Sequence, residues 1–269
     1  MKKFLYKIVL TLVLSISFLT YESYISKTYA LSGENKIDLL IENQKTQEII
    51  QSKIEDLDDK LDNNMKQASN NIEVISLSFI PEDKSTELNE SIDMELINIS
   101  DSKEQLEKEL QDYIIEGVKL EKSIKEEMNT YLKENNLDFI PALWPVESYK
   151  DISSPFGERI HPITNEISLH KGIDIPAPQD TEILSSDNGI VIFSGVQNGY
   201  GNVVKIQHFD GKTTVYAHNT KNVVKEGDIV KRGQVIAKVG TTGDSTGNHV
   251  HFETIINGEH LNPVNIVSK

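Results

Sequence analysis

The chain has 269 residues, no cysteine, and 42 Asp and Glu against 27 Lys and Arg, for a formal charge of −15. Lack of cysteine removes thiolate metal sites, disulfides and cysteine nucleophiles together. The acidic excess sits in residues 31–140, with 27 Asp and Glu against 12 Lys and Arg, and nucleic acid, anionic lipid and anionic polymers all repel such a segment.

The N-terminus begins Met1-Lys2-Lys3, continues with an apolar run from Ile8 to about Tyr21, and reaches Lys27-Thr28-Tyr29-Ala30. A basic start, a short apolar middle and small residues at the end predict a secretory signal peptide over 1–30. About fourteen apolar residues are short against the ~20 that a spanning helix needs, and an uncleaved anchor is the rival reading. Either way the working part is expected outside the cytoplasm, in the envelope of a bacterium, and contact with a membrane follows only if the segment stays uncleaved.

Residues 31–138 are predicted to be an acidic helical coiled-coil segment. From Glu34 to about Asn71 there is no Pro or Gly, and Ile50, Ile54, Leu57 and Leu61 follow a four-three seam. The β-branched run Ile72–Ile80 and then Pro81 end that helix. A second helix is expected to start after Ser85 or Thr86 and run to about Asn135. Its seam takes in Leu106, Leu110, Tyr113, Leu120 and Ile124, with Gly117 on a core position as a kink or a close approach. Such helices fold back as an antiparallel hairpin or pair with a second chain. A spacer, a dimerisation arm, a shield over a groove and a docking arm for a membrane partner all fit that pattern.

Residues 139–150 read as a stiff linker, with Pro141, Pro145 and the only Trp, Trp144. Beyond it, residues 151–269 alternate short β runs with turn signals such as Asp187-Asn188-Gly189, Asn198-Gly199, Asp210-Gly211 and Asn257-Gly258. The runs Ile190–Phe193, Val203–His208, Thr213–Ala217, Val235–Val239 and His249–Ile256 carry no helical period. The fold class is therefore a mainly β C-terminal domain, antiparallel, as an open barrel or sandwich, preceded by helices.

All seven histidines lie in that last part, at 161, 170, 208, 218, 249, 251 and 260. Alternate residues of a strand share a face, so His249 and His251 reach into one site. His170 and Asp174, in His170-Lys171-Gly172-Ile173-Asp174, complement them. Two imidazoles and a carboxylate suit a borderline cation such as zinc, and a three-ligand set leaves a position open for water. The pattern points to a zinc hydrolase with one Zn2+ per chain.

The motifs resemble the LytM/lysostaphin-like zinc metallopeptidases, which cut peptidoglycan peptides. The resemblance covers Leu143 to Val267 and rests on several motifs in family order. They are Trp144-Pro145, Ser153-Ser154-Pro155-Phe156-Gly157-Glu158-Arg159-Ile160-His161-Pro162, His170-Lys171-Gly172-Ile173-Asp174-Ile175 and Gly199-Tyr200-Gly201-Asn202. Tyr216-Ala217-His218, Lys231-Arg232-Gly233-Gln234 and Gly247-Asn248-His249-Val250-His251-Phe252-Glu253 complete the set. It implies His170, Asp174 and His251 as metal ligands, and His218 and His249 as catalytic histidines sharing proton transfer and oxyanion stabilisation. Asn248 stands where the family often has Pro, and Val250 where it commonly has Leu; neither is a ligand. Asp174 would offset the metal to a net charge of +1.

The function the resemblance implies is a secreted zinc metalloendopeptidase acting on stem peptides or cross-bridges of peptidoglycan. The alternative is a non-catalytic member that binds wall peptides or activates an amidase. A carrier domain suggested by Lys225–Gln234 is set aside as shared β architecture. The expected partners are the peptidoglycan peptide substrate and a protein partner or second copy through the helices, with no nucleic acid. His161 reads as wall-building or outer, His208 as exposed, His260 as incidental, and Arg159 as positioning substrate or bracing a loop.

Overall fold

The computed structural model describes residues 36–69, 82–160 and 166–268. The expected signal segment over 1–30, the Ile72–Ile80 run with Pro81, and His161 lie outside the described residues. Among those described, no helix is long and apolar enough to cross a membrane.

Residues 36–69 form helix α1, and Glu82–Glu134 form helix α2. The second helix starts at Glu82, earlier than the expected Ser85 or Thr86. Glu82 and Asp83 are residue types favoured in a first turn, where the helix dipole presents positive charge. Residues Asp38–Lys122 make one compact unit. Within it the helices run antiparallel, since Asn43 meets Tyr113 while Asp58 pairs with Lys103 further along. Ile50 and Ile54 are buried and Leu57 and Leu61 half-buried. On α2, Leu106, Leu110, Tyr113 and Leu120 are half-buried on one stripe with buried Gly117. Of the two expected roles for Gly117, close approach is the one observed: a Cβ there would lie 2.8 Å from Asn43 Oδ1. Asn43 Nδ2 uses that space to donate to the Tyr113 carbonyl at 3.0 Å.

The β part is built on one large sheet of seven strands, all antiparallel. Ile229–Val230, Gly189–Gln197, Gly201–His208, Thr213–Asn219 and His249–Ile256 follow one another across it. On its far edge His249–Ile256 pairs with Ile173–Pro176 along its first half and with Glu259–Leu261 along its second. A three-stranded sheet of Glu182–Leu184, Val235–Lys238 and Lys221–Asn222 contributes Ile183, Ile236 and Ala237 to the same core. Each is completely buried with Val204, Ile206, Tyr216, Val250 and Phe252 of the large sheet. Ala142, Trp144 and Val146 join that core, and Ala142–Leu143 pairs in parallel with Val267–Ser268, the one parallel ladder described. The expected β runs are all strands or lie within them, except that the Val235 run ends at Lys238.

Strand alternation decides which face does what. Val250 and Phe252 point into the core, so His249, His251 and Glu253 point to the opposite face. Their direct neighbours across the ladders, Ala217, Val215 and Asp174, share that face. Core packing of one face thereby presents a polar row on the other.

Candidate metal centre

His251 and Asp174 are cross-strand partners in the ladder between His249–Ile256 and Ile173–Pro176. His251 Nδ1 lies 2.9 Å from Asp174 Oδ1. His170 ends the short strand Ile167–His170, and the chain returns through Lys171-Gly172 to reach Asp174. Gly172 is needed because a Cβ there would lie 2.3 Å from the Phe252 carbonyl oxygen. That close passage brings His170 Nε2 to 3.1 Å from Asp174 Oδ1 and 3.0 Å from His251 Nδ1. The triangle is held by backbone too, since Asp174 N donates to Ser154 O and Ser153 N to Asp174 O, each at 2.9 Å.

The outer bonds set the tautomers. His170 Nδ1 is 2.8 Å from the Pro155 carbonyl and His251 Nε2 is 3.0 Å from Glu253 Oε1. Both oxygens only accept, so these nitrogens carry the protons and the facing His170 Nε2 and His251 Nδ1 are bare in neutral rings. Two imidazole lone pairs and a carboxylate oxygen then converge at about 3 Å, which is repulsive without a cation between them. Tetrahedral zinc with bonds of ~2.0–2.1 Å needs donor separations of roughly 3.3 Å. The donor set and its spacing fit such an ion, and among the described residues this is the group of three His, Cys, Asp or Glu that could hold one. Burial would raise the Asp174 carboxyl, but bonds from His170 and His251 outweigh burial and hold it far below its usual range. Burial likewise opposes charge on His251, yet Asp174 and Glu253 raise its pKa.

His218 and His249 flank the triangle. His249 Nδ1 faces the Gly247 carbonyl at 2.8 Å, and its Nε2 lies 3.6 Å from Asp174 Oδ1. His218 is a case that alternation alone misplaces: Tyr216 faces the core, so His218 should as well. Its φ of 63° breaks the alternation, and its ring lies 4.8 Å from that of His249 and 5.8 Å from that of His251. Backbone in that region costs a non-glycine residue on the order of 1–3 kcal/mol and collects at working sites. His218 Nδ1 is 2.8 Å from the Thr242 carbonyl, which leaves Nε2 bare. Burial pushes its imidazole down to about 4, so it is neutral at pH 7.

Arg159 Nη1 lies 3.4 Å from Asp174 Oδ2 and bonds to Ser154 Oγ, so it braces the ligand loop from inside the groove. Two expectations fail. His208 is not exposed; it is 2% exposed, because its ring is held between Thr214 Oγ1, 2.7 Å from Nε2, and the Asn188 carbonyl, 3.1 Å from Nδ1. His260 is not incidental, since its Nδ1 is 3.3 Å from Glu253 Oε2. Glu253 and Tyr200 went unassigned in the sequence, although both stand inside quoted motifs, and the two-residue spacing of His251 and Glu253 was the available signal. The site opens between two clefts, of roughly 190 and 490 Å³, with Arg159, His218 and Asp244 lining both.

Residues 168–263 match peptidase family M23. Over 118 residues the chain is 49% identical to the DD-carboxypeptidase/endopeptidase Mpg of Neisseria meningitidis serogroup B, covering 44% of this chain and 27% of that protein. It is 40% identical over 116 residues to the peptidoglycan DD-endopeptidase ShyC of Vibrio cholerae serotype O1, covering 43% and 27%. Among solved structures, the catalytic domain of lysostaphin from Staphylococcus simulans is 30% identical over 44% of this chain and 92% of that one, with a TM-score of 0.41. The chain thus spans 27% of the length of these two curated relatives.

Proposed function

Residues 168–263 are a peptidase family M23 domain, and from that premise we propose that the chain is a zinc metalloendopeptidase that hydrolyses peptide bonds in peptidoglycan stem peptides or cross-bridges. The observation that carries this reading is the triangle of His170 Nε2, Asp174 Oδ1 and His251 Nδ1, with sides of 2.9–3.1 Å and two adjoining clefts. The Vibrio relative, a peptidoglycan DD-endopeptidase, supports the substrate class.

Zinc held by His170, Asp174 and His251 would supply Lewis acidity, lowering the pKa of water to ~7 and polarising the scissile carbonyl. The rest falls to the chain. His218 Nε2, bare and neutral, accepts the proton that water gives up as it attacks. The protonated imidazole then donates to the oxyanion or to the departing amine, and His249 Nε2 is placed to share that role. Arg159 keeps Asp174 turned toward the triangle. Residues 1–30 are assigned as signal peptide or anchor, 31–138 as a coiled-coil arm for spacing or partner contact, and 151–269 as the peptidase domain, with the expected linker 139–150 packed into that domain's core through Ala142, Trp144 and Val146. The working part is accordingly placed outside the cytoplasm, at the cell envelope.

The test incubates the purified chain and its His251→Ala variant with purified sacculi and reads released fragments by mass spectrometry. New amino and carboxyl ends that require His251 and vanish with chelator support the peptidase. Sacculus binding without cleavage, or release of sugar fragments, rejects it.

A further inference from the structure

Glu253 belongs to no ligand set described above, yet it is the most fully buried carboxylate beside the triangle, 1% exposed. Its Oε1 accepts from His251 Nε2 at 3.0 Å and from the Tyr200 hydroxyl at 2.8 Å. Its Oε2 faces His260 Nδ1 at 3.3 Å without hydrogen-bond geometry. Among the described residues its ion-pair partners are both histidines. A carboxylate taken out of water is costly unless it is paired and hydrogen-bonded, and a structural side chain at that spot could as well be apolar, like its neighbours Phe252 and Val215.

We propose that Glu253 is a positioning residue for the metal, holding His251 in the tautomer that turns a bare Nδ1 toward the triangle, with Tyr200 holding Glu253 in turn. The inference deepens the peptidase reading and rests on it.

The argument is one of lone pairs and charge. A free imidazole divides its proton between two nitrogens, and a ring with the proton on Nδ1 cannot bind through that atom. Glu253 Oε1 accepts and cannot donate, so it selects the Nε2–H form. Placement by the strand is what makes this geometry automatic: His251 and Glu253 are two residues apart on one face, so the carboxylate stands directly behind the ring. Tyr200 approaches from outside the strand and uses the same oxygen, which fixes the carboxylate rotamer. Charge follows the same line. Asp174 offsets one charge of a dication, and Glu253, one ring away, adds a second negative charge, which favours cation capture in a site screened from water.

Carboxylates placed behind a ligating imidazole are worth about 10- to 100-fold in metal affinity. The test compares the full chain with Glu253→Gln and Glu253→Ala. The zinc dissociation constant is measured by competition with a chromophoric chelator, and the fold is checked by circular dichroism. Glu253→Gln keeps the size and an accepting oxygen but loses the charge, so it should remain folded and bind about tenfold more weakly. Glu253→Ala should lose more, up to about 100-fold. In parallel, nitrogen-15 shifts of the histidine rings are read on metal-free protein at alkaline pH, where the rings are neutral. The natural chain should show His251 with its proton on Nε2, and Glu253→Ala a mixture of both forms. Zinc affinity within twofold of the natural chain in a folded Glu253→Gln, or an unchanged His251 tautomer in Glu253→Ala, overturns the proposal. Failure of the natural chain itself to bind zinc would instead overturn the peptidase reading, and the tautomer measurement would still judge Glu253.

Discussion

The β domain buries two polar clusters, and they are completed in opposite ways. Around Lys212, which is 1% exposed, the ammonium lies 2.6 Å from both Asp187 Oδ2 and Asp210 Oδ2, with Arg232 Nη1 3.9 Å from Asp187. That cluster carries its cation on the chain. Asp210 Oδ2 also accepts from the Ile140 backbone, so it ties the start of the domain to a turn seventy residues later. At the other cluster, His170, Asp174 and His251 aim acceptor atoms at one point, and the nearest fixed cation is Arg159, 3.4 Å from the outer oxygen of Asp174. The difference teaches how to tell a structural buried charge from a cluster that could hold an ion: the first is neutralised from within, the second leaves its lone pairs converging.

Removing one partner from each should separate them. His251→Ala is expected to abolish both stoichiometric zinc binding in calorimetry and cleavage of sacculi, while leaving Lys212 and its partners intact. Zinc at 100 times its dissociation constant should stabilise the natural chain by about 2.7 kcal/mol, and that gain should vanish in the variant. Next in size, His218→Ala should lower kcat by about 10²- to 10⁴-fold with one zinc per chain retained; loss of the metal as well would make His218 a ligand.

Lys212→Met attacks the self-balanced cluster and leaves two buried carboxylates facing each other. Breaking a buried pair in this way costs about 3–5 kcal/mol. Urea unfolding followed by the fluorescence of Trp144, the single tryptophan and a buried core residue, reads that loss directly. Zinc stoichiometry should not change. A loss under about 1 kcal/mol would show that water relieves the cluster and would remove the contrast drawn above.

The smallest effect concerns His208, which leans on the same cluster. Burial, reinforced by the Lys212 charge, lowers its imidazole to about 4 from the ordinary 6.5. Between those values the unfolded chain binds a proton there that the folded chain does not, so stability rises with pH across the window. The contribution is fully present above pH 6.5 and is lost as pH falls toward 4, by up to about 3 kcal/mol. Unfolding midpoints from pH 7 to 4.5 should therefore decline, and less steeply in His208→Gln. Equal slopes in the two proteins would show that His208 exchanges protons freely when folded.

Much of this was legible in the residues, for identifiable reasons. Period-two alternation over His249–Ile256 assigned its two faces, and the four-three seam of Ile50, Ile54, Leu57 and Leu61 marked α1. Five polar positions from separate motifs were named as one site, and His170, Asp174, His218, His249 and His251 do stand together around the triangle and its flanks. What escaped were facts about backbone and depth. Alternation places His218 on the core side, and its left-handed φ is what returns the ring to the groove. His208 ends a strand beside a turn, a pattern that reads as surface, yet its ring is buried between Asn188 and Thr214.

Local periodicity is a property of consecutive residues, so strands, helices and the polar row of His249, His251 and Glu253 were written in the chain. Which oxygen stands behind which imidazole, which buried carboxylates meet Lys212, and which histidines are sealed from water depend on segments tens of residues apart meeting at ångström range. Those meetings were set by the packing of two sheets around one core, where close-packed side chains admit few alternatives.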